Sequence, residues 1–305
     1  MRIVIMGAGA LGSVIGGFLS KNNNVTLIGR LPHVNKIKKD GLKISGIWGE
    51  HVFYPEACTS PKEVKEIPEL IIITTKAYDT AKALSQLECL ISEENYVMSM
   101  QNGIGNEEII ASYVGKERTL GGMAIFGAIM VAPGHSKVTV YASECLVGSL
   151  VKDMEIAKRI AKILDNAGIP TKATDDIIRD KWMKAFYNIA LNPLSAILDK
   201  EYGFLGKHEN AKKIIKHLLR EAFEVAKAEG VNLKYDWQGY YNHLINKQLP
   251  PTAKHISSML QDLKRGKKTE IDYLNGMIVK LGKKHGIATK ANEIITNIIK
   301  LMEVK

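Results

Sequence analysis

The chain opens with a short apolar run, Arg2-Ile-Val-Ile-Met6, that passes directly into Gly7-Ala8-Gly9-Ala10-Leu11-Gly12, and no other stretch limits the fold as sharply. A helical pattern follows through Leu19, so the three glycines sit in a strand, turn, helix context where each has a separate job. The first permits a tight turn, the second lets backbone approach a pyrophosphate, and the third lets helix pack on strand. Phosphate would meet the unpaired N–H groups of the helix N-terminus. The spacing therefore predicts an α/β domain that begins at residue 2 and holds a dinucleotide at its first turn. Such an early start leaves no room for a cleavable leader, and the cytoplasm is the expected compartment.

The following segments extend that plan. A second strand, Asn24-Val-Thr-Leu-Ile28, ends in Gly29-Arg30, where an NAD enzyme usually carries Asp or Glu for the ribose 2′-hydroxyl. A carboxylate would repel a 2′-phosphate, whereas Arg30 offers it a planar fork, so the expected cofactor is NADP(H). A surface arginine after a strand is the plainer alternative. A basic helix comes next, then Gly41-Leu-Lys-Ile-Ser45 and His51-Val-Phe-Tyr54, read as a hairpin added at the sheet. Leu70-Ile-Ile-Ile-Thr-Thr75 is apolar until its threonines, as in a buried parallel strand, and delivers Lys76 to its carboxyl end. Tyr96-Val-Met-Ser-Met100 does the same for Asn102 in Gln101-Asn102-Gly103. Ligands of open parallel sheets bind outside those ends. A solvent-facing lysine opening a helix, and plain Asn-Gly turn chemistry, are the competing readings. Strand patterns through Val131, over 137–141 and over 144–147, a helix over Met154–Asn166 and a strand near 170–173 complete a first domain, residues 1–174.

From residue 175 the texture changes to long helical patterns, expected over 210–229, 235–246, 253–263, 270–285 and 291–302, with Gly230 and Gly286 at C-terminal cap positions. A second, all-helical domain thus covers residues 175–305. Its first helix holds Lys184-Ala-Phe-Tyr-Asn188-Ile-Ala-Leu-Asn192-Pro193, where polar side chains recur every fourth residue along an apolar segment. A buried asparagine is costly unless bonded, which makes Lys184, Asn188 and Asn192 candidate ligands. A rim lysine with two backbone-bonding asparagines is the alternative, and Pro193 disfavours helical geometry at Asn192. Further on, Ser257 and Ser258 fall inside an expected helix, where serine is a poor former, so Ser258 invites a ligand. Thr269-Glu270-Ile-Asp272 reads as a capping box with Thr269 as N-cap. By spacing alone, Glu270 is a first-turn acid favoured by the helix dipole.

A net charge of +10 raises nucleic acid as a partner, but the lysines are scattered, so small anionic ligands and a solvated basic surface are the preferred explanation. No apolar run is long enough to span a bilayer. The three cysteines have no CxxC or metal-ligand spacing and the eight histidines no zinc pattern, so reduced thiols and no metal are expected.

Taken together, the glycine turn, Gln101-Asn-Gly-Ile-Gly105, Lys181-Trp-Met-Lys184-Ala-Phe-Tyr-Asn188-Ile-Ala-Leu-Asn192-Pro-Leu, Ser257-Ser-Met-Leu-Gln-Asp262 and Thr269-Glu-Ile-Asp-Tyr-Leu-Asn-Gly276 closely resemble the ketopantoate reductases (2-dehydropantoate 2-reductases). The resemblance spans the chain in order, and its helical-domain motifs are far more specific than the glycine fingerprint. It implies an N-terminal Rossmann domain joined to an all-helical domain, with NADPH and a keto-acid substrate in the cleft between them. By position, Lys184 matches the family's general acid and Glu270 its acidic partner on the cofactor side. Asn188, Asn192 and Ser258 match substrate ligands, and Asn102 matches a contact to both substrate and cofactor. Gly7 through Gly12, Lys76 and Ala128 match cofactor contacts. One departure stands out: where some members carry a further asparagine substrate contact, this chain has Tyr202. The implied activity is NADPH-dependent reduction of 2-dehydropantoate to (R)-pantoate for pantothenate and coenzyme A synthesis. The expected partner is a small keto acid, not nucleic acid or a membrane, with a homodimer left open. A related 2-keto-acid or imine reductase and an NADP(H)-sensing regulator are the alternatives.

Overall fold

The opening run becomes a strand in the middle of a sheet, because Ile3, Val4, Ile5 and Met6 are all buried there away from water. The computed structural model describes residues 1–304, and the chain packs as two units, one of Met1–Gln101 with Asn106–Ile177 and one of Asn102–Gly105 with the chain from Ile178 on. The first unit runs β1 (Arg2–Met6), α1 (Ala10–Leu19), β2 (Asn24–Ile28), α2 (Leu31–Asp40), β3 (Leu42–Gly46), β4 (His51–Phe53), β5 (Glu56–Cys58), β6 (Leu70–Ile73), α3 (Thr80–Leu87), β7 (Tyr96–Ser99), α4 (Asn106–Val114), β8 (Thr119–Met123), β9 (Phe126–Ala132), β10 (His135–Tyr141), β11 (Cys145–Ser149), α5 (Met154–Asn166) and β12 (Thr171–Ala173). Eight strands form one sheet, ordered β12-β11-β8-β7-β6-β1-β2-β5 and parallel at every junction except β8 with β11. Chain order reverses between β1 and β6, the switch point at which loops part and leave a crevice.

The hairpin expected at this sheet lies elsewhere. β3 and β4 do pair antiparallel, but they join β10 and β9 in a separate four-stranded sheet ordered β4-β3-β10-β9. The edge beside β2 is taken instead by β5, whose three residues are too few to show a strand period in the sequence.

The second unit is built from α6 (Ile177–Leu198), α7 (Tyr202–Lys207), α8 (Glu209–Ala228), α9 (Trp237–His243), α10 (Ser258–Lys264), α11 (Asn275–His285) and α12 (Lys290–Glu303), the first residue of α6 counting with the first unit. Phe186, Ile189, Ala190 and Leu191 of α6 are buried with Leu218, Leu219 and Ala222 of α8. The Phe186 ring stacks on Phe223 with centroids 4.0 Å apart. No helix among the described residues is long and apolar enough to cross a membrane.

Several local expectations give way to packing. Pro193 lies inside α6 without ending it. Its missing N–H leaves the Ile189 carbonyl without the usual helical donor, and Asn275 Nδ2 donates to that oxygen at 3.2 Å. Residues 253–257 are not helical, because Ser257 is the N-cap of α10 and its Oγ accepts from the Leu260 N–H at 3.1 Å. The two serines thus stand at a helix start, where serine is favoured, and not in an interior. The helix expected from 270 begins only at Asn275, after a 3₁₀ turn over Ile271–Tyr273. Thr269 Oγ1 accepts from the Ile271 N–H, but Thr269 N and Oγ1 both donate to Glu303, at 2.7 and 2.6 Å. Asp272 pairs with Lys300 at 2.6 Å, so no capping box forms. Helix α7 answers no expected periodicity, being only six residues long, and α9 passes into a π turn over Leu244–Gln248.

Candidate active site

In the first unit the glycine turn meets separate demands at each position. Gly7 has a φ of +108°, and a Cβ there would lie 2.7 Å from Thr75 N. At Gly12 a Cβ would lie 2.4 Å from the Gly7 carbonyl oxygen, so helix and turn touch only because the side chain is absent. Gly9 differs: the nearest atom to a Cβ there is 3.9 Å away, and its exposed backbone opens at the N-cap of α1. With no acid in the first turn of α1, this opening is a cradle that suits a pyrophosphate. Ala8 N–H donates to the Ile28 carbonyl at 2.8 Å, which ties the turn to the end of β2. Ala10 begins α1, and half-buried Leu11 packs on the sheet core.

Gly29 lies against the same turn, a Cβ there falling 2.8 Å from Ala8 Cβ, which sets Arg30 beside it. Arg30 is exposed at the N-cap of α2 and makes no side-chain cap bond. Lys76 follows β6 through Thr75 and is half-buried. Gln101, overlooked in the sequence, braces this loop: its Nε2 donates to the Thr75 carbonyl at 3.0 Å, the Lys76 carbonyl at 3.3 Å and Thr80 Oγ1 at 2.8 Å. Ala128 stands apart on β9 of the smaller sheet, half-buried and packed on the core that Leu11 also joins.

In the second unit one recess is lined by Asn102, Asn188, Asn192, Ser258, Met259, Asp262, Glu270 and Leu274. Helical spacing brings Asn188 and Asn192 to it side by side, and one turn earlier the Lys184 ammonium donates to Asn102 Oδ1 at 2.9 Å. The Asn102–Gly105 segment is held by an Ile104 N–H to Tyr273 carbonyl bond of 2.9 Å. Gly103, at φ +89°, passes so close that a Cβ would lie 2.7 Å from Tyr273 Cβ. Asn-Gly thus supplies both the turn and a recess side chain. Buried Glu270 precedes the 3₁₀ turn and faces the recess, so the first-turn dipole account does not describe it.

Asn192 is buried, its Oδ1 accepting from Tyr202 Oη at 2.6 Å and its carbonyl accepting from Ser257 Oγ at 3.2 Å. The second bond ties the start of α10 to α6 and so sets exposed Ser258 at the recess. Asp262, a second buried carboxylate in the lining, was missed although its i+4 spacing from Ser258 on α10 signals a shared face. An ammonium, amide and hydroxyl donors and two carboxylates can together bind a small polar acid and protonate an oxygen as charge develops on it.

A doubly wound sheet with a phosphate-shaped glycine turn, in one chain with a helical unit gathering these groups, defines a dinucleotide-dependent oxidoreductase. The chain belongs to the ketopantoate reductase family. The profile described as ketopantoate reductase PanE/ApbA matches residues 3–151, and that described as its C terminal matches residues 176–303. The 2-dehydropantoate 2-reductase of Aquifex aeolicus is 38% identical over 100% of this chain and 97% of that protein. Among solved structures, a PanE/ApbA family ketopantoate reductase from Ralstonia eutropha JMP134 is 30% identical with a TM-score of 0.90, covering 99% of this chain and 98% of that one. D-mandelate dehydrogenase with NADH and anilino(oxo)acetate is 33% identical, also at TM-score 0.90 and with 99% and 98% coverage.

Proposed function

We propose that this chain reduces 2-dehydropantoate to (R)-pantoate with NADPH, in the cytoplasm, on the route to pantothenate and coenzyme A. The observation that carries the reading is the Lys184 ammonium on Asn102 Oδ1 at 2.9 Å, with Asn102 lining one recess with Asn188, Asn192, Ser258 and Glu270. Membership of the family supports it. The glycine turn, Gly7 through Gly12, would hold the pyrophosphate, Arg30 the 2′-phosphate, and Lys76 would add positive charge nearby. The reduced nicotinamide, when bound, supplies the hydride chemistry.

The remaining work falls to side chains. Lys184 polarises the ketone oxygen and donates its proton as the alkoxide forms, a contribution of about 10²–10⁴ in rate. Asn102 and Glu270 orient the ammonium. Asn188, Asn192 and Ser258 bind the carboxylate and the hydroxyl that distinguishes ketopantoate from 2-ketoisovalerate. A site built to bond a hydroxyl leaves its own polar groups unpaired when the hydroxyl is missing, whereas an apolar pocket discriminates weakly.

Steady-state assays with NADPH test the reading. Wild type should show kcat/KM for ketopantoate at least roughly two orders of magnitude above that for 2-ketoisovalerate. Lys184→Ala should lower kcat by about two to four orders of magnitude with NADPH affinity near wild type. Comparable wild-type rates on both acids would favour a broader 2-oxo-acid reductase, the second reading, which the likeness to D-mandelate dehydrogenase supports.

A further inference from the structure

Tyr202 opens α7 with its ring buried, 2% exposed, against Tyr187 and His255, whose ring centroids lie 5.6 and 5.2 Å away. Its hydroxyl donates to Asn192 Oδ1 at 2.6 Å, and among the described residues it meets no other acceptor. A buried hydroxyl has to place its proton on something. Burial pushes the Tyr202 phenol well above its ordinary pKa, so the proton stays in place to be donated. The neighbouring tyrosine does not compete. Thr252 Oγ1 gives its own proton to the Gln248 and Leu249 carbonyls, so Tyr187 Oη is the donor in their 2.7 Å bond and is committed there.

A side-chain amide has two ends of nearly equal shape and opposite sense, an oxygen that accepts and a nitrogen that donates. With Oδ1 taken by Tyr202, the end left for the recess that Asn192 lines is Nδ2. We propose that Tyr202 is a positioning residue: its hydroxyl holds the Asn192 amide so that the recess presents an N–H donor to an oxygen of the acid. This rests on the reading of the recess as a keto-acid site. Without the hydroxyl nothing selects one amide orientation, and the flipped amide would turn a carbonyl oxygen toward a carboxylate.

Tyr202→Phe removes the hydroxyl and keeps the ring. It should raise KM for ketopantoate roughly three- to tenfold, with kcat within about twofold and KM for NADPH unchanged. In an Asn192→Ala background the same change should cost nothing more, since the tyrosine acts only through that amide. A readout independent of turnover uses protein labelled with ¹⁵N-asparagine. The Asn192 side-chain NH₂ pair, assigned by its loss in Asn192→Ala, should broaden or double in Tyr202→Phe as the two orientations exchange. An unchanged KM for the acid, an additive loss in the double variant, or an unaltered Asn192 pair would overturn the proposal. If wild type reduces a different 2-oxo acid, the functional reading fails while the same comparison on that acid still judges Tyr202. If it reduces none, the amide resonances alone decide.

Discussion

Arg30 caps the first turn of α2 without making a cap bond, and it stands beside the glycine turn through Gly29 and Ala8. Aspartate is a better N-cap than arginine, so Arg30→Asp should not weaken the helix. It should instead replace attraction for a 2′-phosphate with repulsion. A lost charge-assisted contact costs about 1.5–3 kcal/mol, so KM for NADPH is expected to rise roughly tenfold or more while KM for NADH stays close to wild type. Equal weakening toward both cofactors, or a lowered melting temperature, would mean that Arg30 supports α2 and does not select the cofactor.

Among the elements, α6 brings Asn188 and Asn192 to the recess and also contains a proline. It continues through Pro193, and Asn275, from the start of α11, supplies the donor that the Ile189 carbonyl lacks because proline has no N–H. Asn275 also donates to Asn292 Oδ1 at 3.0 Å, and both asparagines are fully buried. Asn275→Leu leaves these acceptors short of a donor and is expected to destabilise the fold by about 1–3 kcal/mol in urea denaturation. Pro193→Ala restores an N–H for Ile189, so it should recover part of that loss in the Asn275→Leu background and gain less in wild type. Equal effects of Pro193→Ala in both backgrounds would show that the amide is not the proline's complement.

At the scale of a whole packing unit, His33 joins three elements of the first one. Its Nδ1 accepts from the Gly134 N–H at 2.9 Å, so the ring proton sits on Nε2, which bonds Ser13 Oγ at 2.9 Å. The hairpin of β9 and β10, helix α2 and the dinucleotide helix α1 thus meet on one neutral imidazole. Burial lowers its pKa below the ordinary value, and burial does the same at His255. The unfolded chain therefore takes up the proton first as pH falls. Stability should be complete above about pH 6.5 and decline below it, by at most about 1.4 kcal/mol per pH unit for each histidine, until the folded-state pKa is reached. Thermal melts from pH 8 to 5 should show this decline, and His33→Asn should make it shallower even though the variant is less stable at pH 8. An unchanged slope would remove His33 from the account.

What the sequence determined alone is whatever a few adjacent residues can satisfy among themselves. The glycine turn is legible because Gly7, Gly9 and Gly12 answer demands set within one strand, turn and helix. The polar face of α6 is legible because a helix repeats its own geometry, and the α/β and helical halves because buried strands and amphipathic helices differ in period. Tertiary structure decided each case in which a polar group finds its partner far along the chain. Ile189 is completed by Asn275, the Asn192 amide by Tyr202, Thr269 by Glu303, and Asn102 is held by Lys184. Short β5 and the separate sheet of β3, β4, β9 and β10 belong to the same class, since strand partners are chosen by the assembled fold. A local window records that a buried amide or carbonyl needs a partner; which residue supplies it depends on how remote segments pack.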